Sequence, residues 1–337
     1  MMIKQALLAG EFAKIKSFLA ANDLRFDERV SETLYIEEDN QIIGTVSRTD
    51  YLIECLAIDK QYRGENLAGL LIDAILSSMR MQRISHYLVY TKTEYIPVFQ
   101  AMNFRLLAKT TNVCIFEGGC ESIDSEIGEL RRRIETKWSI PMIGNDFGAI
   151  VVNCNPITMG HYQIIEYAAK QHDHLLVFVV EEDFSLFTYR ERFGLVWLAL
   201  SDLENVIVLP STKYIVSNLT FPSYFLKTMD EREEEHARLD AEIFKSFFMK
   251  GLCIAKRYVG TETDQFMMKY NNILKTTLND RLEIIPRFQI DGINISASIV
   301  RKLIFENRID DALAMVPRAT WGMFRALAQE KYDQSCR

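Results

Sequence analysis

Phe147-Gly148-Ala149-Ile150-Val151-Val152-Asn153-Cys154-Asn155-Pro156-Ile157-Thr158-Met159-Gly160-His161 decides the architecture of the second half of this chain. Residues 147–153 are a short apolar run of the kind that fills a strand buried on both faces. A polar turn with Pro156 follows, and a helix pattern opens at Gly160 and continues to Lys170. Beyond it come a strand at Leu175–Val180, a helix at Tyr189–Leu203 and a strand at Val206–Leu209. The region Asp230–Gly251 is charged and then amphipathic, Leu252–Val259 and Leu282–Ile285 read as further strands, and the last 40 or so residues read as helical. Alternating strand and helix predicts an α/β fold with right-handed crossovers and a doubly wound parallel sheet, which binds ligands outside the carboxyl ends of its strands.

The first half has a different rhythm. Runs at Glu32–Glu37, Gln41–Arg48 and Tyr51–Ile58, separated by Asp39-Asn40 and Thr49-Asp50, predict an antiparallel meander. A helix is expected over Gly64–Arg83, with Leu67, Leu70, Leu71, Ala74 and Ile75 at three- and four-residue spacing. A strand at His86–Thr91, a short helix at Tyr95–Met102 and a strand at Asn112–Phe116 complete the unit. Glu117-Gly118-Gly119-Cys120 then reads as a boundary. These features divide the chain into an α+β domain over 1–120, a helical linker over 121–145 and the α/β domain over 146–337. The charged helix Ser122–Trp138, with Leu130-Arg131-Arg132-Arg133, is expected to be a solvated connector.

The 337 residues suit two domains. A 48% hydrophobic content beside 25% charged residues describes an ordinary globular protein and excludes a mostly disordered chain. Thirty-nine basic against 46 acidic residues give a net charge of −7, so no global positive field points to nucleic acid or to an anionic membrane. No apolar run reaches the length of a membrane span. The N-terminal residues lack the charged-then-apolar pattern of a secretory signal. The six cysteines have no metal-ligand spacing, so reduced thiols, a cytoplasmic setting and no structural metal site are expected.

Two loops carry candidate chemistry. In Asn155-Pro156-Ile157-Thr158-Met159-Gly160-His161, Gly160 permits close approach at a helix N-terminus, where free N–H groups favour an anion. Thr158 and His161 are spaced to face one phosphate; read alone, Thr158 is equally an ordinary helix cap. Near the C-terminus, Ile295-Ser296-Ala297-Ser298-Ile299-Val300-Arg301 places serine caps at a helix start and a guanidinium one turn in. Arg301 suits a planar clamp on phosphate, or a solvated surface position.

Together the two loops resemble the (His/Thr)-x-Gly-His and Ile-Ser-(Ser/Ala)-(Thr/Ser)-x-x-Arg motifs of the nucleotidylyltransferase superfamily, which flank the triphosphate of ATP. More narrowly, the chain resembles the citrate lyase ligase family. The resemblance also rests on Val180–Phe187, on Thr220-Phe221-Pro222-Ser223-Tyr224-Phe225-Leu226-Lys227 and on Arg257-Tyr258-Val259-Gly260. It implies an ATP-dependent, AMP-forming ligase that activates acetate as acetyl-AMP and acetylates a thiol of the citrate lyase acyl carrier subunit. By that resemblance His161, Thr158 and Arg301 are catalytic, and Asn155, Pro156, Gly160, Arg192, Ser296 and Ser298 bind ATP. Lys227 is a further phosphate contact, and Mg²⁺ accompanies the nucleotide. Alternatives are an adenylyltransferase acting on a phosphorylated small molecule of the pantetheine-phosphate type, and a nucleotide-binding regulator without turnover.

The first half resembles GNAT-type acetyltransferases. Gln61-Tyr62-Arg63-Gly64-Glu65-Asn66 matches the turn that holds coenzyme A pyrophosphate, except that Asn66 replaces a small residue. Phe99 stands where that family's proton-donating tyrosine would be, and Asn103 replaces a glycine. The resemblance implies a groove in which Gln61, Arg63, Gly64 and Asn66 grip the carrier's prosthetic arm, a derivative of dephospho-coenzyme A.

Overall fold

The computed structural model describes residues 2–182, 185–215, 229–262, 264–286, 289–290 and 293–335. They form two compact units. One comprises the residues up to Ser125 together with 229–242, and the other comprises the remainder.

In chain order the first unit contains β1 (Ile3–Gln5), α1 (Ala9–Ala21), β2 (Glu32–Glu38), β3 (Gln41–Thr49), β4 (Leu52–Ile58), α2 (Leu67–Met81), β5 (His86–Lys92), α3 (Ile96–Ala101), β6 (Arg105–Lys109) and β7 (Val113–Gly119). Its seven strands lie in the order β1-β2-β3-β4-β5-β7-β6. All neighbours are antiparallel except β4 and β5, which pair in parallel only at Leu52–Leu88 and Ile53–Val89. Past Ile53 the strands part, beginning at Cys55, whose φ of +52° breaks the extended backbone. On α2, Leu67, Leu71, Ile72, Ile75, Leu76 and Met79 form the buried stripe, the three- and four-residue spacing that docks a helix on a sheet.

Next come α4 (Ile123–Trp138), β8 (Phe147–Val152), α5 (Met159–Ala169), β9 (His174–Val179), α6 (Tyr189–Ala199), β10 (Val206–Pro210), α7 (Met229–Ile243) with a π-helical turn at Phe244–Met249, β11 (Ile254–Gly260), α8 (Gln265–Leu278) and β12 (Leu282–Ile285). A two-stranded ribbon, β13 (Gln289–Ile290) and β14 (Ile293–Asn294), leads to α9 (Ala297–Phe305), α10 (Ile309–Leu313) and α11 (Trp321–Ser335). The second sheet is β10-β9-β8-β11-β12, parallel throughout. The order reverses at β8, so the crevice expected of a doubly wound sheet opens at its carboxyl end. One face of β8 and β9 packs with Ile165 and Ala168 of α5, Leu195 and Val196 of α6, and Val300, Leu303 and Ile304 of α9. That shared core delivers α9 to the α5 side of the sheet.

Several sequence expectations need correction. The first 31 residues contribute α1 and the edge strand β1, and β6 pairs beside β7. Gly118 and Gly119 lie inside β7, where a Cβ on Gly119 would come 2.0 Å from the Ser85 carbonyl oxygen. Helix α4 is not simply solvated, because Ile123, Ile127, Leu130 and Ile134 are all buried; the arginine run hid that stripe. The second domain is not contiguous either, since 229–242 pack with the first unit. There Glu235 accepts hydrogen bonds from the Thr110 hydroxyl and from Asn112 Nδ2, the latter at 3.1 Å.

Glu54 of β4 is 1% exposed, and its Oε2 has no hydrogen-bond partner. Burial, and then the Asp27 carboxylate, push its carboxyl up to about 7. The unfolded chain releases this proton near pH 4.5, so the folded state binds more protons between about 4.5 and 7, and stability falls as pH rises through that window. At 1.36 kcal/mol per unit the penalty above it is about 3 kcal/mol. Glu54→Gln, neutral throughout, is expected to match the wild type in denaturant unfolding at pH 4.5 and to exceed it by about that amount at pH 8. Coincident curves at pH 8 would contradict this.

Candidate active site

The turn after β8 is shaped from within. Asn153 and Cys154 leave the strand, with Cys154 at φ +50°. Burial pushes the Cys154 thiol well above its ordinary range, so it is no ready thiolate. Thr158 is the N-cap of α5 and is 1% exposed. The Thr158 backbone N–H donates to His161 Nδ1 at 3.1 Å, and the Thr158 hydroxyl lies 2.9 Å from the same nitrogen. In return the His161 N–H donates to Thr158 Oγ1 at 3.5 Å. A backbone N–H can only donate, so Nδ1 is the acceptor and the neutral ring carries its proton on Nε2. A helix cap therefore also fixes the tautomer of the candidate catalytic histidine.

The second turn closes on the first. Arg301 Nη1 donates to the Asn155 carbonyl oxygen at 2.6 Å, and Nη2 reaches Ser298 Oγ at 3.3 Å. A Cβ on Gly160 would lie 3.3 Å from the Ile295 carbonyl oxygen. Turns 155–161 and 295–301, about 140 residues apart in sequence, are thus in contact. Partial burial lowers the Arg301 guanidinium from its ordinary value, and it remains a cation. Ser296 caps α9 through a 3.3 Å bond from the Ile299 N–H, so its hydroxyl oxygen already has one role. Asn155 Oδ1 accepts from the Phe187 N–H at 3.1 Å, tying the first turn to the loop after β9.

Arg192 departs from expectation. It is 0% exposed. Its Nε donates to the Phe187 carbonyl at 3.2 Å, Nη1 to the carbonyl and Oδ1 of Asn153 at 2.9 and 2.8 Å, and Nη2 to the Glu182 carbonyl. Its place is beneath the site, holding two loops, and a phosphate has no access to it. Asn153 and Glu182 are the associated residues that the sequence reading passed over; Asn153 Nδ2 donates to Glu182 Oε1 at 3.3 Å. Lys227 and the run 220–227 lie outside the described residues. Among the described residues no three His, Cys, Asp or Glu side chains converge as metal ligands.

The first unit has a cleft of about 490 Å³ where β4 and β5 part. Arg63, Gly64 and Asn66 line it and Gln61 does not, a correction to the expected set. Asn66 takes φ +60°, a left-handed conformation that Asn tolerates. Its amide lies back over Gly69, where a Cβ would meet Asn66 Oδ1 at 2.5 Å. The side chain thus rests on the first turn of α2. Phe99 also lines the cleft, but its ring packs against Phe104 and Phe116 and has no proton to offer. Thr91, Lys92 and Tyr95 complete the wall on the β5 side. The only sequence signal for them was a strand ending in a cation and a phenol.

Comparison with known proteins gives two family matches, to "Citrate lyase ligase C-terminal domain" over residues 147–324 and to "Acetyltransferase (GNAT) domain" over 8–118. The citrate (pro-3S)-lyase ligase of Escherichia coli is 31% identical over 319 residues, covering 92% of this chain and 89% of that protein. That of Haemophilus influenzae is 31% identical over 316 residues, with 91% and 92% covered. That of Klebsiella pneumoniae is 28% identical over 327 residues, with 95% and 94% covered.

Replacing Arg192 by Met would leave the carbonyls of Asn153, Glu182 and Phe187 buried without their donor. Arg192→Met is expected to lose roughly 3–5 kcal/mol of stability, read in denaturant unfolding. Unchanged stability with selectively weakened nucleotide binding would instead return Arg192 to the phosphate.

Proposed function

Because the chain belongs to the citrate lyase ligase family, we propose that its second unit activates acetate with ATP and passes the acetyl group to a thiol on the acyl carrier subunit of citrate lyase. AMP and pyrophosphate are released. The observation that carries this reading is the contact between the two turns, Arg301 on the Asn155 carbonyl and Gly160 against Ile295. It supports one cradle for a phosphate chain at the carboxyl end of a parallel sheet.

Acetate's carboxylate attacks the α-phosphorus in line, and pyrophosphate leaves. The N-terminus of α5, the Thr158 hydroxyl and the Nε2–H of His161 stabilise the charge that grows on the α-phosphate oxygens, while Arg301 holds the departing phosphates. Ser296 and Ser298 shape the start of α9, and Asn155 and Pro156 set the curve of the first turn. Mg²⁺, accompanying ATP, would offset phosphate charge; no three His, Cys, Asp or Glu side chains among the described residues converge to hold it, so the nucleotide would have to bring it. The thiol sulfur then attacks the acetyl carbonyl carbon, the bond from that carbon to the bridging phosphate oxygen breaks, and AMP departs while the thiol proton passes to water. No protein nucleophile is needed, and the work is positioning and charge stabilisation.

The first unit is the holder of the carrier's prosthetic arm, a pantetheine thiol of dephospho-coenzyme A type. The β4–β5 cleft, with Arg63, Gly64 and Asn66 at its turn, supports that assignment, and Phe99 argues against proton transfer there.

His161→Ala is expected to lower the rate of acetate-dependent ATP–pyrophosphate exchange by about 10²-fold or more with the fold intact by circular dichroism. A wild-type chain that exchanges without acetate, or a variant at full rate, would refute the respective part of this reading.

A further inference from the structure

Helix α11 buries Phe324, Ala328 and Lys331, one stripe at four- and three-residue spacing. A lysine is out of place in such a stripe. Its side chain is 9% exposed, and it is the one buried lysine among the described residues. Taking an ammonium out of water is costly unless a carboxylate meets it, and here Nζ meets Glu191 Oε1 at 2.8 Å. The other oxygen of Glu191 accepts from the Thr188 N–H at 2.7 Å and closes the capping box of α6. That N–H belongs to the same peptide group as the Phe187 carbonyl, which accepts from Arg192 Nε at 3.2 Å. Two opposite charges thus hold one peptide plane from its two sides, and Lys331 backs the negative one. On the same stripe the Phe324 ring stacks on Phe187, with 6.2 Å between centroids and 25° between planes. The Phe187 N–H in turn donates to Asn155 Oδ1, and the Asn155 carbonyl is the seat of Arg301. Well-packed apolar residues often serve stability as well as a buried ion pair does; what the pair adds at this place is direction, handed on to the turn that carries the site.

We propose that Lys331 is a positioning residue for the phosphate cradle: through Glu191 and the Phe187–Thr188 peptide it fixes Asn155, and with Asn155 the seat from which Arg301 holds the departing phosphates of ATP. The proposal rests on the reading of the two turns as an ATP cradle. Lys331 itself touches no substrate.

The full-length protein and its Lys331→Met variant are titrated calorimetrically with ATP and with AMP. The variant is expected to bind ATP about tenfold more weakly, the scale on which a residue remote from the ligand tunes a site, and AMP, which lacks the phosphates that Arg301 holds, should change by less than about twofold. KM for ATP in acetate-dependent ATP–pyrophosphate exchange should rise by the same factor. Lys331→Met/Glu191→Gln should bind ATP no more weakly than Lys331→Met, because both changes break one chain of contacts. A merely structural role would cost ATP and AMP alike. Equal losses for the two nucleotides, unaltered ATP affinity in Lys331→Met, or additive losses in the double variant would overturn the proposal. Should Lys331→Met fail to fold, Glu191→Gln alone decides: a loss confined to ATP supports the proposal and its absence overturns it. A wild type that binds ATP but shows no acetate-dependent exchange would strike the ligase chemistry, and the calorimetry would still decide the role of Lys331. A wild type that binds no ATP would overturn the cradle and the proposal together.

Discussion

A guanidinium sealed from water holds the carboxyl end of the second sheet in shape. Arg192 gathers the carbonyls of Asn153, Glu182 and Phe187, three main-chain acceptors from the loops after β8 and β9. Burying a charge costs several kcal/mol unless its hydrogen bonds are satisfied, so this cation persists only while those loops keep their course. The path of Asn155 depends on it, since Asn155 also takes the Phe187 N–H on its side chain. Arg301 in turn docks on the Asn155 carbonyl. A buried cation thus sets the loop, and the loop seats the half-buried one.

Above that foundation, local structure and chemistry use the same atoms. Thr158 caps α5 in the ordinary way, and the reciprocal bond to His161 Nδ1 turns the cap into a device that leaves the imidazole proton on Nε2. Ser296 and Ser298 repeat the economy at α9, one as a cap and the other beside Arg301. Each helix start is held by its own side chain, so the neighbouring N–H groups and cations have fixed positions before any ligand arrives.

The first unit owes its cleft to a break in strand pairing. The parallel contact of β4 and β5 ends after two residue pairs, and the gap that follows is an architectural consequence that needs no catalytic residue. Phe99 fills the position of a proton donor with a core ring, while Arg63, Lys92 and Tyr95 keep the cleft polar at its walls.

The sequence by itself determined the strand–helix alternation of the second half, the two candidate motifs at helix starts and the meander of the first half. Each is written in local periodicity and in turn residues that act within a few positions of themselves. It also marked Thr158, His161 and Arg301 by type and spacing. Only the tertiary structure decided that Arg192 lies inside, that α4 buries a stripe beneath its arginines, that 229–242 pack with the first unit, and that Lys92 joins Arg63 around one cleft. The physical reason is common to all four. Whether a charged side chain meets water, a carbonyl or a ligand depends on which distant segments surround it, and those neighbours are set by packing across the whole core, which no local pattern encodes.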